Sequence, residues 1–178
     1  NASLVVDEFS QTLSNAVWLT REAGIVLVAA AGNSARDMDA TPAYPAAFDF
    51  DNIVSVGFTT RKDVRGALSN FGATTVDLMA PGDAMCSAFW ISDNSYLCNA
   101  FLKGSSYAAP YVAGAVALLR QRFPSDSPQL IIQRLLQGVD VVPALAGTCV
   151  TGGRLNLWKA LSAPLSVTAL GNAPGTPF

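Results

Sequence analysis

The chain reads as α/β, with a mainly parallel sheet flanked by helices, and three observations carry that reading. Short apolar runs at 2–6, 25–31 and 52–57 have the length and composition of strands buried on both faces. The first two runs are joined by a segment with helical periodicity through short connections, which makes a βαβ unit with parallel strands and a right-handed crossover. A long alanine-rich stretch, Ser105 to Arg120, suits a buried helix. At 178 residues, 51% apolar and 13% charged, the chain is long enough for one domain with its own core.

In order, residues 2–6 form the first strand. The helix runs from Asp7, as N-cap, to Ala23. Phe9, Leu13, Ala16 and Val17 supply its apolar face, and Gly24 ends it. The second strand, 25–31, runs into Gly32-Asn33-Ser34, and in open α/β sheets the ligand crevice lies at that end of the strands. Residues 36–51 are loop. Strands follow at 52–57 and 76–82, separated by a charged surface connection. Residues 84–90 and 96–103 pair as an antiparallel hairpin that delivers the chain to Ser106. Phe123 to Asp126 break the long helix. Ser127 caps a further helix, with Pro128 at its first position and Gly138 at its end. Residues 162–178, rich in Ala, Gly and Pro, read as a tail or linker.

Composition excludes several classes. A formal net charge of −2 gives no electrostatic case for nucleic acid, and no apolar run is long enough to span a bilayer. There is no Cys/His cluster for zinc. Cys86 and Cys98 flank a polar turn at a spacing that a hairpin can bridge. Cys149 is left over, either for a partner elsewhere or as a free thiol. An oxidising, extracellular or secretory setting is the expectation. The chain starts without methionine, inside an apolar run, and is read as a fragment or a processed chain.

The chemistry-bearing stretch is Gly104-Ser105-Ser106-Tyr107-Ala108-Ala109-Pro110-Tyr111-Val112-Ala113-Gly114. A serine at the start of a buried helix has a backbone N–H facing out at the positive end of the helix dipole. A Ser-rich cap on a core helix would read the same way. The stretch resembles the nucleophile signature of the subtilisin-like serine peptidases, Gly-Thr-Ser-x-Ala-x-Pro-x-Val-Ala-Gly, with Ser105 in place of Thr. It differs from the Gly-x-Ser-x-Gly elbow of α/β-hydrolases, because Ala108 stands where that pattern has glycine. Further segments resemble the same family: Ala29-Ala30-Ala31-Gly32-Asn33, Tyr44-Pro45-Ala46, Ser69-Asn70-Phe71-Gly72, Asp77 to Gly82, and Gly153-Arg154-Leu155-Asn156 with its terminal helix.

The resemblance spans residues 1–161 and implies the C-terminal part of a peptidase domain. Its fold would be three-layer and truncated at the N-terminal side, with 162–178 outside it. It implies Ser106 as nucleophile and Asn33 as oxyanion donor, although Gly-Asn after a strand is also ordinary turn grammar. Ser3, Leu4, Ala30, Ala31 and Gly32 would bind an extended peptide or protein substrate by strand addition. Val5 stands where the family has glycine. No cofactor is implied for catalysis. Calcium is implied as a structural ion at Asp77, with carbonyls from the loop near Asp51 and Ile53; backbone N–H groups would satisfy Asp77 equally well.

The family's triad runs Asp, His, Ser along the chain, and this chain has no histidine. The Asp and His would therefore belong to the N-terminal part of the same domain, carried upstream or on a separate chain. Lys103 is the one alternative base near Ser106 in sequence. Two functions follow as expectations: a subtilisin-like serine endopeptidase of which this chain alone is inactive, or a non-catalytic structural or peptide-binding module in a larger assembly. In either case the apolar edge at Ala2 to Val6 would lie exposed.

Overall fold

The computed structural model describes residues 1–162 except 87, 93–94 and 99–101, together with Pro164; for 88–92 and 95–98 it describes the backbone only. The tail expected over 162–178 therefore lies outside the described residues apart from Ser162 and Pro164.

Helix α1 (Gln11–Glu22) is followed by strands β1 (Leu27–Ala30), β2 (Ile53–Thr59) and β3 (Leu78–Pro81), a hairpin of β4 (Ala88–Ser92) and β5 (Ser95–Cys98), and the long helix α2 (Ser105–Arg122). Then come α3 (Pro128–Gln137), β6 (Asp140–Val141), a 3-10 turn (Pro143–Leu145), β7 (Gly153–Arg154) and α4 (Leu157–Ser162). The sheet order is β1-β2-β3-β7-β6. All its pairings are parallel except β6 with β7.

Side chains alternate along the strands, and this builds three layers. Val28, Ala30, Val54, Val56, Phe58, Leu78 and Ala80 face one side, where Ala108, Val112, Ala115 and Leu119 of α2 and Ile131 and Leu135 of α3 cover them. Ala29, Ile53 and Met79 face the other side, with Val17 of α1, Met38, Phe48, Leu145 and Cys149. β1, β2 and β3 bury nearly every residue, as strands covered on both faces require. Arg120 joins the layers at the far end of α2, donating to the carbonyls of Gly24 at 2.6 Å and Asp126 at 3.2 Å.

Two expectations near the N-terminus are corrected. Residues 2–6 do not form a strand. Ala2 bridges to Ala29, with its N–H on Val28 O at 2.8 Å and its carbonyl taking Ala30 N–H at 3.0 Å, and the chain then leaves the sheet. Val6 next pairs with Tyr44. The divergence leaves Leu4, Val5 and Val6 exposed rather than buried. The N-cap of α1 is Ser10, whose hydroxyl accepts from Leu13 N–H at 3.3 Å, and not Asp7. Asp7 pairs with Arg36 at 2.8 Å. Phe9 accordingly falls before the helix, its ring edge-on to Tyr44 and Phe48.

The third strand is also shorter than expected. It begins at Leu78, which leaves Asp77 just outside it. Elsewhere the expected devices are in place. Gly24 takes a positive φ after α1, Ser127 and Pro128 start α3, and Gly138 ends it. The bridge Met85–Leu102 extends the hairpin toward Gly104.

Candidate active site

The first turn of α2 sits at the carboxyl end of the parallel strands. Gly82 N–H donates to Thr59 O at 3.1 Å, and Gly104 N–H donates to Gly82 O at 2.8 Å. The chain is thereby stitched from β2 through β3 to the helix start. Gly104 holds φ +145°, a conformation that side-chain-bearing residues rarely adopt, and a Cβ there would come within 3.1–3.3 Å of the Asn33 side chain. The glycine is what lets the helix start approach Asn33.

Ser105 is fully buried and ties the two segments together. Its backbone N–H donates to Asn33 Oδ1 at 2.8 Å and its hydroxyl donates to the same oxygen at 3.2 Å. The hydroxyl also accepts Gly32 N–H at 3.0 Å. Both donors fall on Oδ1, so that oxygen is the inward end of the Asn33 amide, and the two Nδ2 protons face out of the clamp. Ser106 follows, half-buried, one residue into the first turn. Its backbone N–H is among the helix-start donors that have no intrahelical acceptor, and it has no protein partner among the described residues. Ser106 thus lies at the positive end of an 18-residue helix, next in sequence to the residue that clamps Asn33.

The other expected peptide-binding residues flank this point. Ser3 Oγ donates to Ser106 O at 3.0 Å, which brings residues 3–5 beside the helix start. Ser3, Leu4 and Val5 have no backbone partner among the described residues. Ala30 and Ala31 are buried at the end of β1, and Gly32 carries the chain out of the sheet at φ +112°. Lys103 is exposed, immediately before Gly104.

Asn70 is a site residue whose role sequence reasoning missed. It is fully buried, donates to Ala31 O at 2.8 Å, and accepts Ser34 N–H at 2.9 Å and Arg36 N–H at 3.0 Å. It thus holds the 31–36 loop, and Asn33 with it, from below. A Cβ on Gly32 would fall 2.3 Å from Asn70 Nδ2. The signal was present in Ser69-Asn70-Phe71-Gly72, but a motif names a residue without naming its partners.

The residues expected at a calcium site have these protein partners. Asp51 is exposed and committed to Arg21 at 2.6 Å and Gln129 at 3.1 Å. Ile53 is in β2, where its N–H donates to Phe50 O. Asp77 accepts Ser55 N–H at 2.7 Å, and burial pushes its carboxyl up to about 6 against the opposing pull of that hydrogen bond. Among the described residues, no three Asp, Glu, Cys or His side chains are grouped to hold a metal.

The model of the subtilase family matches residues 1–150. A thermophilic serine proteinase of Bacillus sp. (strain AK1) is 35% identical over 162 residues, covering 91% of this chain and 37% of its own length. Subtilisin DY of Bacillus licheniformis is 37% identical over 136 residues, covering 76% of this chain and 47% of its own. A solved protease from Pseudoalteromonas arctica PAMC 21717 superposes with a TM-score of 0.75 at 29% identity, covering 92% of this chain and 50% of the protease chain. The chain therefore spans half or less of the length of each of these relatives.

Proposed function

We propose, for a chain that belongs to the subtilase family, that residues 1–161 are the C-terminal part of a subtilisin-like serine endopeptidase, with Ser106 as nucleophile. The observation that carries this reading is the double hydrogen bond from Ser105 to Asn33 Oδ1, which turns the Asn33 amide donor outward beside Ser106. In the completed site Ser106 Oγ attacks the carbonyl carbon of a peptide bond. Its proton passes to a histidine from outside this chain. Asn33 Nδ2 and the Ser106 N–H receive the oxyanion. The same histidine then protonates the leaving amine as the C–N bond breaks, and water releases the acyl group from Ser106.

Substrate binding along Ser3, Leu4 and Val5 is supported by their unpaired backbone beside Ser106. Ala30, Ala31 and Gly32 supply the opposite wall. The reading includes no cofactor for catalysis. It includes the N-terminal part of the same domain as the partner that brings the Asp and His. Secretion is part of the reading, because a relative from Thermus sp. (strain Rt41A) is named an extracellular serine proteinase. Among the described residues no helix is long and apolar enough to cross a membrane. A Cys86–Cys98 crosslink belongs to it as well. It is supported by Cys149, a free and buried thiol, which leaves Cys86 and Cys98 for each other.

The test is labelling by a fluorophosphonate probe, mapped by peptide mass spectrometry, on this chain with and without the histidine-bearing part. Stoichiometric labelling of Ser106 only in the combination supports the reading. Absence of labelling in the combination overturns it in favour of a non-catalytic module.

A further inference from the structure

The end of α2 meets α3 and α4 at an open groove of about 620 Å³, at the other end of the helix from Ser106. Phe123 and Leu161, both partly buried against the core, belong to it, and Trp158 stands at it 77% exposed. Arg134 lies 3.6 Å from the centre of the Phe123 ring, and its Nε is already paired with Asp126 at 2.6 Å. Arg122, 5.2 Å from the same ring, leaves N–H donors at the rim for backbone carbonyls. The chain leaves α4 along this groove: Ser162, the last residue of the helix, and Pro164 both line it. Next in sequence come Leu165-Ser166-Val167-Thr168-Ala169-Leu170, before Gly171-Asn172. Apolar and polar residues alternate from Leu165 to Ala169, which is the period of an extended segment with one face to bury. A linker has no need of that alternation. Residues 163–178 carry no charged side chain, so nothing in them opposes an apolar groove.

We propose that residues 165–170 are a strap that docks in this groove, with Leu165 and Val167 set against Phe123, Trp158 and Leu161, and Ser166 and Thr168 turned to solvent. Six extended residues reach about 20 Å, enough to cross from Pro164 over the ends of the helices. The tether through Pro164 gives the segment a high effective concentration at the groove, so a few apolar contacts are enough to keep it docked. Burial of its apolar face removes Trp158 from water and ties the ends of α2, α3 and α4 together. The domain then continues past residue 161, and the linker begins at Gly171. The strap is independent of the chemistry at Ser106.

The experiment is hydroxyl-radical footprinting of the complete protein, read residue by residue in peptide mass spectrometry. Trp158 is the reporter, and Trp18 of α1, also exposed, is the internal reference. The parent is compared with Leu165→Asp/Val167→Asp, which charges the inward face, and with Ser166→Asp/Thr168→Asp, which charges the outward one. Oxidation of Trp158 should rise about threefold or more in the inward pair as the strap is released, and stay at the parent's rate in the outward pair. Trp18 should not change. A rise at Trp18 as well would mean a general loss of fold, and the milder pair Leu165→Ser/Val167→Ser is then judged by the same criteria. Equal oxidation of Trp158 in the parent and the inward variants, or an equal rise from both faces, overturns the strap. Protection of Trp158 that disappears on dilution assigns the groove to a second copy of the chain and overturns it too. No readout depends on peptidase activity, so the result leaves the proposed function untouched.

Discussion

Ser105 and Asn33, 72 residues apart in sequence, meet through two hydrogen bonds on one oxygen: the Ser105 N–H at 2.8 Å and its hydroxyl at 3.2 Å, both to Asn33 Oδ1. A loop side chain is thereby given one orientation by a buried helix start. On the function proposed above, replacing Asn33 with alanine should lower kcat of the complete peptidase by about 10²–10³-fold, the loss known for the corresponding donor in subtilisin. Ser105→Ala keeps the backbone half of the clamp. It removes the hydroxyl bond to Asn33 and the acceptor of Gly32 N–H, so its loss should be smaller, roughly five- to thirtyfold for one to two hydrogen bonds of about 1 kcal/mol each. Ser105→Thr, which retains the hydroxyl, should restore the rate. Steady-state kinetics on the three variants checks the order.

Asn70 should matter to stability as much as to rate. Its side chain satisfies Ala31 O, Ser34 N–H and Arg36 N–H, and it is buried. Asn70→Ala strands these groups, at a cost on the order of 3 kcal/mol. Denaturant unfolding of the complete protein should show this as a lower midpoint. Asn70→Asp should not rescue it, because a carboxylate cannot donate to Ala31 O.

The acid side of the stability curve should carry the mark of Asp77. Its carboxyl is raised in the folded state to about 6 from an ordinary 3.8. Between these values the folded protein holds a proton that the unfolded chain has released. Stability therefore falls as pH rises through that window, by at most about 3 kcal/mol in all, and stays at the lower level above it. Asp39, Asp51 and Asp140 have the opposite sign. Their carboxyls are lowered by hydrogen bonds from Thr74 and Thr75, from Arg21, and from Lys159 and Asn156 respectively, so they add stability that is lost only as pH falls below their ordinary range. Melting temperature measured from pH 7 to pH 4.5 should rise, and Asp77→Asn should flatten the rise.

The chain on its own should associate. Leu4, Val5, Val6, Phe9, Trp18, Leu19 and Ile25 are all exposed around the β1 edge and α1. Among the described residues β1, at the edge of the sheet, is paired on its open side only by the bridge from Ala2. Sedimentation velocity at micromolar concentration should show oligomers, and a sharp monomer would contradict the prediction. Addition of the histidine-bearing part should shift the population to a defined complex.

How much of this was legible in one dimension depended on the range of the forces involved. Periodicity, caps and glycine stops are local, so the sequence by itself determined that α2 begins at the serine pair, that Ser127 and Pro128 start α3, and that β1 and β2 lie buried on both faces. The long motif around Ser106 and the order of the segments after it determined the family. Contacts between distant residues decided the rest. Asp7 has the grammar of an N-cap, yet Arg36 claims it and Ser10 caps the helix. Residues 2–6 have the composition of a strand, yet among the described residues they pair only at Ala2 and Val6, with different partners. The tertiary structure alone decided which end of the Asn33 amide faces out and that Asn70 supports it. Each of these depends on where two segments more than 25 residues apart come to rest, and no local preference encodes that distance.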